Sequence, residues 1–136
     1  MPDIRVPGDA VPAFKTALAA WFGARARIAD TMPDPNGPDP WAVEDGLPLI
    51  TVADDSGPTL WPIWTEPLIR ITVHANGMQT AKLLRREATG VVMAGVPGLY
   101  IGKSGIGYVD GRDADTGADL ASFTVTATVR TEVITV

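Results

Sequence analysis

The stretch that most limits what this chain can fold into runs from Glu66 to Gly95. In EPLIRITVHA, Ile69, Ile71, Val73 and Ala75 alternate with Arg70, Thr72 and His74, the period of a strand with one buried face. Asn76-Gly77 breaks that period. Beyond it Met78, Ala81, Leu84, Ala88, Val91 and Val92 fall on one helical stripe. The sequence therefore predicts a strand over Leu68 to Ala75 and a helix over Met78 to Ala94, about 25 Å long at the helical rise. The two bury their apolar sides against each other. Lys82, Arg85 and Arg86 are assigned to the opposite side of the helix, either as a solvated charged face or as a contact with a neighbouring subunit.

Before this unit, Asp9 is a good N-cap for a helix running to Phe22, with Pro12 tolerated in the first turn and Gly23 placed to stop it. Phe14, Leu18, Trp21 and Phe22 form its apolar side. Arg25 and Arg27 then alternate with Ala26 and Ile28 in a short strand, where the arginines are solvated, paired with acids or turned to a partner. Prolines at 33, 35, 38 and 40 exclude helix or central strand. Residues 32–46 thus read as a long loop, in which Trp41 either anchors a docking arm or folds back over the domain's own core. Leu47 to Ala53 reads as a strand. Trp61 and Trp64 in LWPIW cannot share one face of a flat strand, so one of them is exposed or faces a partner.

After the long helix, residues 96–119 form a second irregular region with six glycines, at 98, 102, 105, 107, 111 and 117. A small hairpin fits inside it, with Leu99 to Ile101 and Ile106 to Val109 as arms and Gly102 to Gly105 as the turn. Ala121 to Val133 alternates most cleanly of all. Thirteen residues would reach about 43 Å, more than the usual strand, so this one bends or pairs with another chain.

Composition narrows the chemistry. A chain of 136 residues fits one domain that buries roughly two thirds of its unfolded surface. With no cysteine and a single histidine, His74, disulfides, thiolate nucleophiles and multi-histidine metal sites are excluded. The N-terminal MPDIRVPGDAVPAF lacks the basic and apolar segments of a signal peptide, and no apolar run approaches a membrane span, so a soluble protein is expected. Eleven basic against sixteen acidic residues argue against a general nucleic-acid binder.

Gly102-Lys103-Ser104 imitates the end of a phosphate-binding loop, but Pro97 stands where that motif needs glycine. Gly105 and Gly107 imitate a dinucleotide turn whose third glycine falls on Asp110. Asp110, Asp113, Asp115 and Asp119 fail the spacing of a calcium loop, with Ala118 at its sixth position and Thr124 at its twelfth. None of Ser56, Ser104 and Ser122 lies in a nucleophile-elbow setting. The chain is read as a non-enzyme with no cofactor and no bound metal.

The order of elements is helix, strand, variable loop, two strands, strand-turn-helix, variable loop and long final strand. At this length it resembles the tail terminator, or tail completion, proteins of long-tailed bacteriophages. The resemblance rests on DAVPAFKTALAAWFG, PLIRITVHANGMQTAKLLRREATG and ASFTVTATVRTE, roughly half of the chain. It implies an α+β fold, with an antiparallel or mixed sheet of about four to five strands and two main helices packed on it. It also implies a homo-oligomer, a hexameric ring capping the tail tube protein and meeting the head-tail connector protein. Such a ring sits in the virion at the head-tail junction, with DNA passing through its lumen without specific binding, and has no membrane contact. Candidate interface residues are Arg25, Arg27, Trp41, Trp61, Trp64, Lys82, Arg85 and Arg86. The alternatives are another ring protein of the same junction and a monomeric binding module.

Overall fold

The computed structural model describes residues 3–57, 59–60, 63–102 and 107–135. Its elements in chain order are β1 (Asp3–Val6), α1 (Val11–Phe22), β2 (Arg27–Ala29), β3 (Leu49–Asp54), β4 (Thr59–Leu60), β5 (Trp64–Thr65), β6 (Leu68–Ala75), α2 (Met78–Ala94), β7 (Tyr100–Ile101), β8 (Gly107–Arg112), β9 (Asp119–Arg130) and β10 (Glu132–Thr135). Eight of the strands form the main sheet, in the order β2-β3-β6-β9-β5-β4 with β7 and β8 also on β9, while β1 and β10 make a separate ribbon. Only β2 and β3 run parallel; the other pairs are antiparallel. The architecture is the expected α+β type, with two helices on a mixed sheet.

The strand-turn-helix unit forms with the bounds its periodicity sets, Leu68–Ala75 and Met78–Ala94. Its turn depends on Gly77, whose φ of 116° is costly for any residue with a Cβ. Ile69, Ile71 and Val73 meet Phe14, Leu18 and Phe22 of α1 and Ala81, Leu84, Ala88 and Val92 of α2. Phe123, Val125, Ala127 and Val129 of β9 complete this core, so both helices cover one face of the sheet. The N-cap of α1 is Ala10 and not the expected Asp9; one position earlier, the Asp9 carboxylate accepts a hydrogen bond from the Val11 N–H at 3.1 Å, satisfying one of the free donors there. Trp21 leaves the apolar side expected for it: it is 57% exposed, and its Nε1 donates to Glu87 at 3.1 Å. Residues 23–25 coil into a short 3-10 turn, which shortens the strand around Arg27 to three residues.

The sheet holds more strands than the expected four or five because two of its lines are interrupted and the short β4 adds itself to β5. β5 and β6 lie end to end along one edge of β9, Thr65 opposite Val129 and Leu68 opposite Thr126. β7 and β8 lie end to end along the other edge, Tyr100 opposite Thr128 and Gly107 opposite Thr124. The hairpin expected from LYIGKSGIGYV therefore does not form between its own arms. Each arm pairs with β9 instead, and residues 103–105 of its expected turn, with Ile106 of the second arm, lie outside the described residues. Much of the second irregular region is thus strand, because β9 offers it a ladder that glycine does not prevent.

The long final strand breaks at Thr131. Beyond it β10 turns away and pairs with β1, Asp3 opposite Thr135 and Val6 opposite Glu132. At the base of this ribbon Gly8 lies against the end of β9; a Cβ there would come within 2.4 Å of the Arg130 carbonyl oxygen.

Candidate assembly surfaces

The helix-free face of the sheet carries the side chains that alternate with the core. Thr51 and Ala53 of β3, Arg70, Thr72 and His74 of β6, and Ser122 of β9 line a cleft of about 390 Å³. One end of that cleft is roofed by the proline-rich loop. Trp41 packs there with Leu49 and Ala118, against Met32, Val43 and Leu120. Its Nε1 donates to the Leu47 carbonyl at 2.7 Å. Trp41 has therefore folded back over its own chain, and in this conformation no docking arm can use it.

His74 stands under that roof. Its Nε2 shares a hydrogen bond with Thr51 Oγ1 at 3.2 Å, and its ring meets Trp41 edge-on at 6.1 Å. Burial lowers its pKa from the ordinary 6.5, against a smaller upward pull from the Asp113 carboxylate. Asp113 belongs to the turn between β8 and β9, where it accepts hydrogen bonds from the Asp115 and Thr116 N–H groups. Those bonds, the Asp115 one foremost, hold its pKa below the usual carboxylate value. The acidic run thus closes a turn. Among the described residues no group of three or more acids and histidines could hold a metal ion.

Arg85 is the main departure from the charge pattern. The sequence puts it on the side of α2 away from the core, solvated or turned to a neighbouring subunit, yet it is 6% exposed within its own chain. Its guanidinium bonds Asp110 of β8, also donates to the Val109 carbonyl at 3.3 Å, and stacks 4.2 Å over the Tyr108 ring. Tyr108 in turn donates to Thr89 of α2 at 3.0 Å. Lys82 reaches the other Asp110 oxygen at 3.5 Å. Asp110 titrates below its ordinary value, chiefly through the Arg85 hydrogen bond. Together these contacts latch β8 to α2.

The remaining candidates scatter. Arg25 forks onto Glu87 at 3.1 Å from both terminal nitrogens and lies over Phe22. Arg27 bonds Asp39 and the Asp39 and Pro40 carbonyls, tying the proline-rich loop to β2. Trp64 is half-buried in β5, beside Ile63 and Arg5. Trp61 lies outside the described residues. Arg86 is exposed and has no ion-pair partner among the described residues. No single patch unites the seven candidates that are described.

No family model matches this chain, and no curated protein matches it. Two surfaces that the sequence pattern does not announce emerge from the fold. One is a groove of about 630 Å³ between the helices, floored by Ala17, Ala20, Gly90 and Ala94 beside Trp21; the small residues at helical spacing are its only sequence signal. The other is the β1/β10 ribbon, with Ile4, Val133 and Ile134 each about half exposed. Its pairing joins residues more than a hundred positions apart, which no local pattern can announce. Among the described residues no helix is long and apolar enough to cross a membrane.

Proposed function

We propose that this protein is a structural subunit of a virion, a tail terminator whose copies close into a ring, most simply of six. The ring caps the tail tube and joins it to the head connector. The reading rests on the resemblance in element order and length. The observation that carries it is the terminal ribbon, in which four-residue strands pair, among the described residues, only with each other and keep apolar side chains in water. A two-stranded ribbon is marginal by itself, whereas a contact with a neighbour would bury its side chains and fix it. In this role the protein is an assembly part and not a catalyst, and DNA passes it without being bound specifically. The net charge of −5 fits that role, since acidic walls repel phosphates over about a Debye length of 8 to 10 Å.

Light scattering coupled to gel filtration, with negative-stain imaging of the peak, tests the reading. The expected result is a ring, formed alone or on addition of tail-tube protein. A strictly monomeric mass under both conditions defeats it and leaves the monomeric binding module.

A further inference from the structure

Two outer strands of the main sheet, β2 and β8, are protected unequally. β2 is three residues long, and the proline-rich loop is tied to it through Arg27. β8 is six residues long and pairs only with β9, so among the described residues no strand covers its outer edge. It contains no proline or lysine, Tyr108 and Val109 are exposed, and its Asp110 is drawn toward Arg85. Natural proteins guard such edges, because an open ladder recruits other strands.

The geometry points to β1 of a second copy of this chain as the strand that covers the β8 edge. This rests on the assembly reading and specifies its contact. β1 uses one edge for β10, and among the described residues no strand pairs with the other. Set antiparallel to β8, its Asp3 faces Arg112, Ile4 faces Gly111, Arg5 faces Asp110 and Val6 faces Val109. Both charged pairs are then of opposite sign and stand on one side of the extended sheet, where directly opposed residues interact. Asp110 can accept Arg5, since its side chain remains 42% exposed beside Lys82 and Arg85. On the other side Ile4 fills the space above a glycine, and Val6 covers the exposed Val109.

The register is specific. A slip of two residues sets Asp3 against Asp110 one way and Arg5 against Arg112 the other, both like-charged, and a slip of one exchanges the faces. Parallel alignments make at most one of the two charge pairs. The contact must also lie between chains. β10 leaves β9 beyond Arg130, whereas Arg112 pairs with Asp119 at the opposite end, on the order of 35 Å away at the strand rise. A chain's own ribbon cannot reach that site, so the contact is head-to-tail, the kind that closes into rings when its rotation allows.

The absence of native cysteine permits a clean test. A chain carrying Ile4→Cys and Gly111→Cys, and a second carrying Asp3→Cys and Arg112→Cys, sample both kinds of cross-strand pair. Under mild oxidation each should give a ladder of covalent multimers, whereas Ile4→Cys with Gly107→Cys, four residues out of register, should not. Asp3→Arg or Arg112→Glu alone should raise the dissociation midpoint of the assembly at least tenfold, and the two together should restore most of it. An oligomer that neither cross-links nor responds to charge reversal overturns the strand pairing while leaving the assembly reading in place. A monomer at about 100 μM overturns the strand pairing, because a strand-addition contact should be populated at that protomer concentration, and the assembly reading falls with it only when the chain also stays monomeric with tail-tube protein added.

Discussion

At its Asp119 end β9 lies between β6 and β8, with α2 across one face and Trp41 roofing the other beside Leu120. At its Arg130 end it is flanked by two-residue strands and runs through Thr131 into a ribbon that touches water on both faces. The same strand with the same alternation is thus held in two ways. Where it is covered, stability is internal to the subunit. Where it is not, the chain has kept a paired backbone but few contacts to fix it, which is how segments that move or bind are built. Alternation specifies which side chains face a core. It does not supply the layer that makes the core.

The largest perturbation should come from the covered end. Trp41→Ala removes the roof over His74 and Leu49 and should cost about 3 to 5 kcal/mol in urea unfolding, as buried aromatic truncations do. A loss below about 1 kcal/mol would show that the loop is not part of the folded unit. Next comes Arg85→Ala, which removes a buried guanidinium together with its packing on Tyr108. It should cost about 2 to 3 kcal/mol, less than a fully buried ion pair because Asp110 is left facing water. Hydrogen exchange should then quicken over β8 before it does over β6. Arg86→Glu, one residue along, should leave unfolding unchanged, and equal costs for the two would dissolve the distinction between latch and surface.

Deleting residues 1–6 probes the other end. The free subunit should lose less than about 1 kcal/mol, since a lone ribbon contributes little, while assembly should fail. Ribbon amides of the isolated subunit should exchange far faster than those of Ile71 and Phe123, and equal protection would remove the contrast between the two ends.

The smallest effect is a pH dependence at the covered end. His74 has a folded pKa below 6.5, so the unfolded chain binds the proton more readily. Stability should be level above neutrality, decline as pH falls through 6.5, and level off below the folded pKa. The depressed carboxylates of Asp110 and Asp113 contribute only at lower pH, where stability falls as they protonate through their folded pKa values. Denaturant midpoints between pH 7.5 and 5 measure the His74 share, and His74→Leu should flatten that slope.

Most of the covered end is legible in the sequence. Alternation from Ile69 to Ala75 and the stripe from Met78 to Val92 place both elements, because there the local pattern and the tertiary burial agree. Arg85 is not legible, because a cation at a polar helical position is solvated by default. Asp110, Tyr108 and the Val109 carbonyl, arriving from a glycine-rich strand 23 to 25 residues on, make its burial tolerable. Trp41 stands between two readings in the sequence, and its contacts with Leu47, Leu49 and Ala118 decide between them. The uncovered end is illegible for another reason. Val133 looks like the end of one strand begun at Ala121, and nothing near it specifies that residues 3–6 pair with residues 132–135.

That pairing sets how the subunit meets a pull on its ends. Asp3 and Thr135 are opposite one another at the open tip of the ribbon, bridged by the Thr135 hydroxyl to the Asp3 carboxylate at 2.8 Å. Force applied at the termini acts across the strands and opens their hydrogen bonds one after another, like a zipper, before any load reaches Gly8 and the end of β9. The ribbon is a mechanical fuse in the free subunit. Clamped on a neighbour's sheet, it would share that load along β8 and become the stiff joint between two copies.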